Sequence, residues 1–433
     1  MKNLTRKITA LIMASFFLVT GCSSSSGKTR SDDEDEFNGE FNSSIDYSSL
    51  ERCSYDEESC SDDYNAYSLE LIRQVLNNES SSTNVMVSPA SVMFALDMCS
   101  AGANGDTLRQ IIDLFAPGED PLSQHAFASQ MLDRINNSDG VEFNAANAIW
   151  TNSDRMSSGL NPDFQNYIEE YFDAQATFEP FSSDTVDEIN GWVDDQTNGM
   201  IDGILDNLPN STISVIVNAI AFEGQWAVPY EDYQVTDMPF TTSSGTEENV
   251  SMLNSEEGTY FETSEATGFL KAYEGGQYAF MAILPSDESI SANEFLMDFS
   301  GEDYQEFIES LTYDYEVYTR LPEFTYDYNV NLNRVLQAMG MEDSFDEDRA
   351  DFSGIGIPDS GTNLFIDLVI HKTHIELDRE GTRAAAATAV LVCDACALPD
   401  ENNVRYVYCD RPFAYAIVDT ETMNPLFIGT YNG

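Results

Sequence analysis

The feature that most constrains this chain is a run of small residues near its C-terminus. Residues 381–390 read GTRAAAATAV, so half of these side chains are alanine methyl groups. An alanine run favours a helix by propensity alone. This run, however, lies between a long strand-like segment ending at Leu377 and a polar, proline-containing stretch at residues 397–403. Small side chains suit a segment that must enter between closely spaced β-strands without steric cost. The run is therefore compatible with such a segment as well as with a plain helix.

The rest of the globular part mixes helical and strand-like patterns. Apolar residues at helical spacing begin at Tyr64, and Ser88 followed by Pro89 is typical of a helix N-terminus. Strand-like runs are predicted at residues 84–87, 141–150, 212–222, 278–284, 315–328, 363–377, 404–408, 413–419 and 426–431. No repeat of fixed period is present. The pattern predicts one α+β domain rather than alternating βαβ units.

The charge balance excludes several classes of partner. The chain has 76 acidic and 19 basic residues, a formal net charge of −57. Such a chain repels phosphate backbones and heparin-like polyanions, so we expect no nucleic-acid or polyanion partner. We interpret the acidity as a solvated surface suited to high salt, which screens the self-repulsion.

Residues 1–22 resemble a bacterial lipoprotein signal peptide. The segment starts with basic residues, and residues 8–19 are mostly apolar but too few for a comfortable membrane span. Its last residues, VTGC, resemble the motif after which the cysteine, here Cys22, carries the lipid. The alternative is an ordinary secretion signal with a chance cysteine. We expect an exported lipoprotein of the cell envelope, held at the outer membrane or cell surface through Cys22.

Residues 23–62 are predicted to be a disordered tether. They are rich in serine and acidic residues and lack hydrophobic periodicity. Cys53 and Cys60 lie within this segment, close enough for a small local disulfide, whereas Cys99 falls on a predicted buried helix face and is expected to be a core thiol. With Cys22 set aside, six cysteines remain, at positions 53, 60, 99, 393, 396 and 409. An even number suits an exported chain, but the pairing is open.

Residues that could carry catalysis are scarce. The only histidines are His125, His371 and His374, and neither a G-x-S-x-G nor an H-E-x-x-H motif is present. His371 and His374 fall in a strand-like run, where a separation of three residues directs side chains to opposite faces. We therefore expect no metal site, no cofactor and no enzymatic activity.

Eleven short motifs lie in the span from about residue 64 to the C-terminus. They are NVMVSPAS at 84–91, GA at 102–103, ANAI at 146–149, INGWV at 189–193, VNAIAFEGQW at 217–226, LPEF at 321–324, GM at 340–341, HK at 371–372, the alanine-rich segment, RPF at 411–413 and PLFIG at 425–429. Each motif is weak alone, but the ordered series resembles the serpin family, in which the same motifs occur in this order.

The resemblance implies the serpin fold, with three β-sheets, about nine helices and an exposed reactive-centre loop. The domain is expected at residues 63–433 and the loop at about 379–403. The resemblance further implies a monomer that inhibits serine proteases as a suicide substrate. The protease cleaves the loop, which then inserts into the main sheet as an added strand and carries the covalently acylated protease with it.

The loop's hinge has a composition that can insert. The resemblance assigns the hinge to Gly381, Thr382, Arg383, Ala384, Ala385, Ala386, Ala387 and Thr388. In a strand, the even-numbered residues 382–392 share one face, which is small, apolar or hydroxyl-bearing and fit for burial. Arg383 would lie on the opposite, outward face. This composition favours an inhibitor over the alternative, a non-inhibitory surface-anchored binding protein on the same scaffold.

The resemblance places the reactive bond between Ala395 and Cys396, because counting 17 residues from Arg379 ends at Ala395. The side chain of Ala395 is a single methyl group, which suits the shallow specificity pocket of elastase-like or subtilisin-like proteases. Asp394 is the competing bait residue and would direct the loop to acid-specific proteases. A Cys393–Cys396 disulfide would bridge the cleaved bond, so either these thiols are reduced or Cys396 pairs elsewhere, for example with Cys409.

Seven further residues match family positions that control opening of the main sheet. Ser88, Ser91, Asn218 and His371 match the polar cluster beneath the sheet, called the shutter. Trp226 matches the tryptophan where insertion begins. Arg379 and Glu323 occupy positions that usually hold Glu and Lys, so we expect an ion pair with its polarity reversed.

Overall fold

The computed structural model describes residues 41, 43–209, 212–359, 361, 363–382 and 403–433, and within these ranges helices and sheets are both extensive. The α-helices are α1 (Glu57–Leu76), α2 (Pro89–Ser100), α3 (Gly105–Ile112), α4 (Pro121–Asn136), α5 (Pro162–Phe172), α6 (Thr185–Gln196), α7 (Ala292–Asp298), α8 (Gly301–Glu309) and α9 (Asn333–Ala338). Short 3₁₀ helices lie at Tyr47–Arg52, Ser153–Arg155, Asp232–Gln234 and Asp343–Phe345. None of the described helices is long and apolar enough to cross a bilayer.

The strands belong to three sheets, which confirms the predicted α+β class. They are β1 (Val85–Val87), β2 (Val141–Asn152), β3 (Gln175–Glu179), β4 (Ser214–Gln225), β5 (Val235–Thr241), β6 (Glu247–Glu257), β7 (Phe261–Glu262), β8 (Ala266–Ala272), β9 (Tyr278–Pro285), β10 (Glu316–Pro322), β11 (Phe324–Asn331), β12 (Val369–Leu377), β13 (Gly381–Thr382), β14 (Val404–Tyr408), β15 (Phe413–Asp419) and β16 (Pro425–Tyr431). The main sheet has the order β11-β12-β13-β4-β2-β3, the core sheet β1-β16-β15-β9-β8-β7 and the third sheet β14-β10-β6-β5.

The main sheet has two different faces. Its inner face packs on α2 and the core sheet, and every residue of α2 is buried there. On its outer face, Val215, Val217 and Ala219 of β4 pack against Ile189 and Val193 of α6 in a second apolar cluster. Side chains of one strand alternate between these faces. Neighbouring residues of one strand therefore belong to two different apolar clusters.

Local sequence explains where several helices begin. Ser88 Oγ accepts a hydrogen bond from the Ser91 amide at 3.2 Å, and Pro89 follows at the first position of α2. Asp120 and Asn161 cap α4 and α5 in the same way, each immediately before a proline. Proline costs nothing at this position, because its missing N–H would have no partner within the helix.

Two predicted strand runs differ from the structure. The run at residues 315–328 is two strands, because β10 ends at Pro322 in the third sheet and β11 begins at Phe324 in the main sheet. Between them the Glu323 amide donates to Ser251 O at 2.8 Å. The run at residues 363–377 becomes a strand only from Val369. A continuous strand-like pattern does not reveal the point at which the chain passes from one sheet to another.

The prediction of a disordered tether over residues 23–62 is wrong for residues 43–62. Ile45 and Leu50 are buried, and Tyr47 OH donates to Ala101 O at 2.9 Å. The Tyr47 ring lies 4.8 Å from that of Tyr167, between ring centroids. Three apolar side chains within a serine- and acid-rich composition are enough to anchor this segment. The folded part therefore begins near residue 43 rather than 63; Cys22 and the tether residues before 41 lie outside the described residues.

The described cysteines carry free thiols. Cys53, Cys60, Cys99 and Cys409 form no disulfide among the described residues, so the small local Cys53–Cys60 disulfide that the spacing allowed is absent. Cys99 lies in the buried face of α2, as expected of a core thiol. Burial raises the pKa of Cys60 to about 11 and also raises the pKa of Cys409, so both are held as neutral thiols. Cys393 and Cys396 lie outside the described residues.

Candidate functional site

The main sheet contains a gap between β12 and β4. The two strands pair directly and in parallel only over Val369–Lys372 and Ile216–Ala219. At the other end, β13 lies between them and is antiparallel to both. No pairing joins residues 373–376 to residues 220–223 within the described chain. We call these two facing edges the gap.

The strands on both sides of the gap share one register. Thr382 of β13 lies opposite Leu377 on one side and Gly224 on the other. The residue numbers of these two partners differ by 153. His371 and Asn218, which pair directly at the closed end, also differ by 153. A strand that continues from Thr382 would therefore reach the closed end without a register shift. The gap has the geometry of a vacant strand position.

The first two hinge residues already lie within the sheet. At Gly381 a Cβ atom would stand 2.1 Å from Gly224 O and 2.8 Å from Gln225 Cα, so only glycine fits this approach. Thr382 is buried, and its hydroxyl lies 2.7 Å from Tyr273 OH. Burial raises the pKa of Tyr273, which keeps the phenol neutral and able to share this hydrogen bond.

Trp226 fixes the turn that leads into the gap. Its indole N–H donates to Asp378 O at 2.9 Å, and its amide donates to Glu380 O at 2.9 Å. The ring stacks on Tyr273 with centroids 4.7 Å apart and planes inclined by 10°. Because Tyr273 also contacts Thr382, one aromatic pair holds both the turn and the start of β13. Trp226 is the residue that the family resemblance assigned to the start of insertion.

Arg379 and Glu323 are in contact at the same turn. Glu323 Oε1 accepts from the Arg379 amide at 3.2 Å and lies 3.7 Å from Arg379 Nε. The shorter ion pair of the guanidinium is with Asp232, at 2.8 Å from Nη1 to Oδ1. The sequence did not suggest Asp232, because it lies almost 150 residues away in the chain. Arg379 therefore joins two acidic residues of different loops to the hinge.

The shutter residues form a buried hydrogen-bond network across the closed end of the gap. His371 Nε2 accepts from the Ser88 amide at 2.9 Å, and His371 Nδ1 lies 3.1 Å from Asn218 Oδ1. Asn218 Nδ2 donates to Ser91 O at 2.6 Å and to Asn147 Oδ1 at 2.8 Å. Asn147 is a member that the sequence did not suggest. The Ser91 hydroxyl has no hydrogen-bond partner among the described residues, so Ser91 contributes through its carbonyl.

The network determines the protonation of His371. A ring nitrogen that accepts from a backbone N–H carries no proton, so Nε2 is bare and Nδ1 carries the hydrogen that Asn218 accepts. Complete burial lowers the pKa of His371 to about 3. The direct link between β12 and β4 at this point is therefore a neutral hydrogen bond. Any strand that passes through the closed end must break it.

Comparison with known proteins decides the family. A family model described as Serpin (serine protease inhibitor) matches residues 62–433, which is most of the chain. The chain belongs to the serpin family.

Relatives of this serpin share its fold. The native-state structure of a thermophilic serpin, tengpin, is 34% identical, with a TM-score of 0.80, and the match covers 89% of this chain and 98% of tengpin. The latent-state structure of tengpin matches with a TM-score of 0.72, at 32% identity and 88% and 99% coverage. A leukocyte elastase inhibitor of Xenopus tropicalis is 30% identical over 84% of this chain and 97% of its own length.

Several predicted site residues lie outside the described part of the chain. They are the hinge residues Arg383, Ala384, Ala385, Ala386, Ala387 and Thr388, and the reactive-bond residues Ala395 and Cys396. His371 and His374 are described and lie on opposite faces of β12. His374 Nδ1 contacts Asp327 Oδ1 at 2.8 Å. The two histidines are not brought together in this serpin.

Proposed function

We propose that this serpin inhibits serine proteases as a suicide substrate and is not itself an enzyme. The observation that supports this most directly is the position of β13, which occupies the start of a vacant strand position in register with both neighbours. Cleavage of the loop would free the chain after Thr382 to continue through the gap. The small residues of the hinge suit that path, because even-numbered positions face the buried side of the sheet.

We further propose Ala395–Cys396 as the reactive bond and elastase-like or subtilisin-like enzymes as the targets. Ala395 presents a single methyl group, and the preceding residues Val390, Leu391 and Val392 offer apolar contacts. No lysine or arginine occurs between Thr388 and Val404, which disfavours trypsin-like enzymes. The name of the Xenopus tropicalis relative, leukocyte elastase inhibitor, supports the same target class.

Inhibition is expected to give an SDS-stable complex of higher mass with elastase or subtilisin and none with trypsin. The released C-terminal peptide should begin at Cys396, which mass spectrometry will show. A peptide that begins at Ala395 moves the bait residue to Asp394. Cleavage without a stable complex by every protease tried contradicts inhibition and favours a binding protein on the serpin scaffold.

For location, we propose that this serpin is a monomeric, exported lipoprotein anchored through Cys22. The basic and apolar start of the chain and its VTGC motif support this. Radiolabelled lipid incorporation that is lost in Cys22→Ser tests the proposal directly. The residues between the anchor and the folded part near residue 43 would hold the inhibitor away from the membrane surface.

Charge reversal at Arg379 is expected to release the hinge before cleavage. Arg379→Glu places a third carboxylate beside Asp232 and Glu323 and removes both ion pairs. Because these ion pairs are partly exposed, each contributes little stability, and the expected effect is moderate. We expect the rate at which polymer or latent form appears on mild heating to rise about 3- to 10-fold. Size-exclusion chromatography measures that rate. Arg379→Lys keeps the charge and is the matched control; equal rates for all three proteins contradict a role for the pair.

A further inference from the structure

Two unpaired carboxylates face each other across the open end of the gap. Glu376 of β12 is exposed, and Glu223 of β4 is half-buried. On β12 every odd-numbered residue from Val369 to Leu377 is buried, so Glu376 points to the outer face. On β4, Asn218 points inward to His371, so Glu223, five positions along the strand, points outward. Neither carboxylate is a member of any ion pair among the described residues.

The register of β13 determines which residue of an inserted strand meets these carboxylates. Thr382 lies opposite Leu377 and Gly224, so the next residue of an antiparallel strand lies opposite Glu376 and Glu223 together. That residue is Arg383. Residues directly opposite in a sheet point to the same face, with Cβ atoms about 4.5–5.5 Å apart. An inserted Arg383 would therefore reach both carboxylates on the outer face.

We infer that Glu223 and Glu376 form a docking site for Arg383 of this chain and guide the loop as it enters the main sheet. The inference rests on the proposed function, since it concerns how the cleaved loop inserts. It assigns Arg383 a positive role as a positioning residue, beyond merely being tolerated on an outward face.

Charge complementarity in this region supports the assignment. Glu142 of β2 pairs with Glu223 and extends the acidic row to three carboxylates on one face. Like charges directly opposite each other destabilise a sheet, and an arginine between them relieves the repulsion. The basic groups nearest along the outer face of β12 are already engaged, Lys372 with Asp202 at 3.1 Å and His374 with Asp327 at 2.8 Å. Neither of these two groups is therefore free to neutralise the row, whereas the register brings Arg383 to it.

The length of the gap makes this contact an early step. The unpaired edges are residues 373–376 and 220–223, which give room for four inserted residues, Arg383 to Ala386, in the shared register. A fifth residue must separate Lys372 from Ala219, the first directly paired positions. Arg383 therefore docks before any bond between β12 and β4 is broken. An ion pair at this stage would hold the loop while the closed end opens.

Peptide annealing tests the docking site without requiring any protease. The probe is an acetylated peptide of residues 383–392, RAAAATAVLV, compared with the same peptide carrying Arg383→Glu. The full-length protein is used as wild type, as the double variant Glu223→Gln/Glu376→Gln, and as the control Glu247→Gln/Glu248→Gln. The control changes the net charge equally but alters exposed residues of β6 in the third sheet. Annealing rates are followed by native gel shift at low and high salt.

With wild type and the control, the arginine peptide should anneal about tenfold faster than the glutamate peptide at low salt. At high salt the ratio of the two rates should be smaller, because salt screens the ion pair. In the double variant the two rates should converge. An equal preference in all three proteins would mean that the net charge of the chain, and not these two residues, selects arginine, and would overturn the inference while leaving loop insertion intact. If no peptide anneals to any of the proteins, the gap accepts no strand and the proposed function fails with it.

Discussion

Replacing Thr382 with arginine is expected to convert this serpin from an inhibitor into a substrate. Thr382 is 2% exposed, with its hydroxyl 2.7 Å from Tyr273 OH beneath the sheet. An arginine here must either bury an unpaired charge, which costs several kcal/mol, or force the start of the strand out of the sheet. Either outcome slows insertion at its first step. Loop cleavage itself should remain as fast as in the wild type, because Thr382 lies far along the chain from the proposed bond at Ala395.

The expected size of this effect follows from a competition between insertion and deacylation. A barrier raised by about 3 kcal/mol slows insertion about 100-fold, and hydrolysis of the acyl-enzyme then takes over. We expect the number of inhibitor molecules consumed per protease inhibited to rise at least tenfold, measured by titration against elastase or subtilisin. Thr382→Ser keeps the hydroxyl and should inhibit normally. Normal stoichiometry in Thr382→Arg would show that insertion does not begin at this residue.

The sequence predicted individual residues of the site better than it predicted their hydrogen-bond and ion-pair partners. Ser88, Asn218 and His371 were identified from short motifs, and the structure brings these three into one network. Asn147 could not be predicted, because a single buried asparagine carries no pattern of its own. The sequence suggested Glu323 for Arg379, yet the shorter ion pair is with Asp232. Which of many acidic side chains an arginine meets depends on loop positions that periodicity does not encode.

Predictions from composition and pattern were wrong where a few residues determine the structure of a longer segment. Ile45, Tyr47 and Leu50 anchor a segment whose serine and acidic content is typical of disorder. Similarly, the run at residues 315–328 is divided between two sheets at Pro322 and Glu323, although both halves look like one strand. In each case the deciding contact is tertiary, with Ala101 for Tyr47 and with Ser251 for Glu323. The gap itself is also tertiary, since it exists only because β4 pairs with β12 and β13, which lie far from β4 in the sequence.

Mild acid is expected to open the closed end of the gap through His371. The pKa of this histidine is about 3 in the closed sheet, because burial disfavours the charged form. When β12 separates from β4 the ring gains water, and its pKa rises toward the ordinary value of about 6.5. Above pH 6.5 both states are neutral and nothing changes. Between pH 6.5 and pH 3 only the open state binds a proton, so the closed state loses stability progressively as the pH falls.

The linkage predicts a rate of polymer or latent-form appearance that rises by up to tenfold per pH unit below 6.5, or about 100-fold at pH 4.5. His371→Gln should flatten this dependence, because it removes the group that titrates on opening. His125→Gln is the matched control: burial also lowers the pKa of His125 to about 3, but His125 contacts Ser100 and Tyr167 away from the gap. Its removal should leave the steep dependence in place. If His125→Gln flattens the profile and His371→Gln does not, acid acts through the helices around α4 rather than through the sheet.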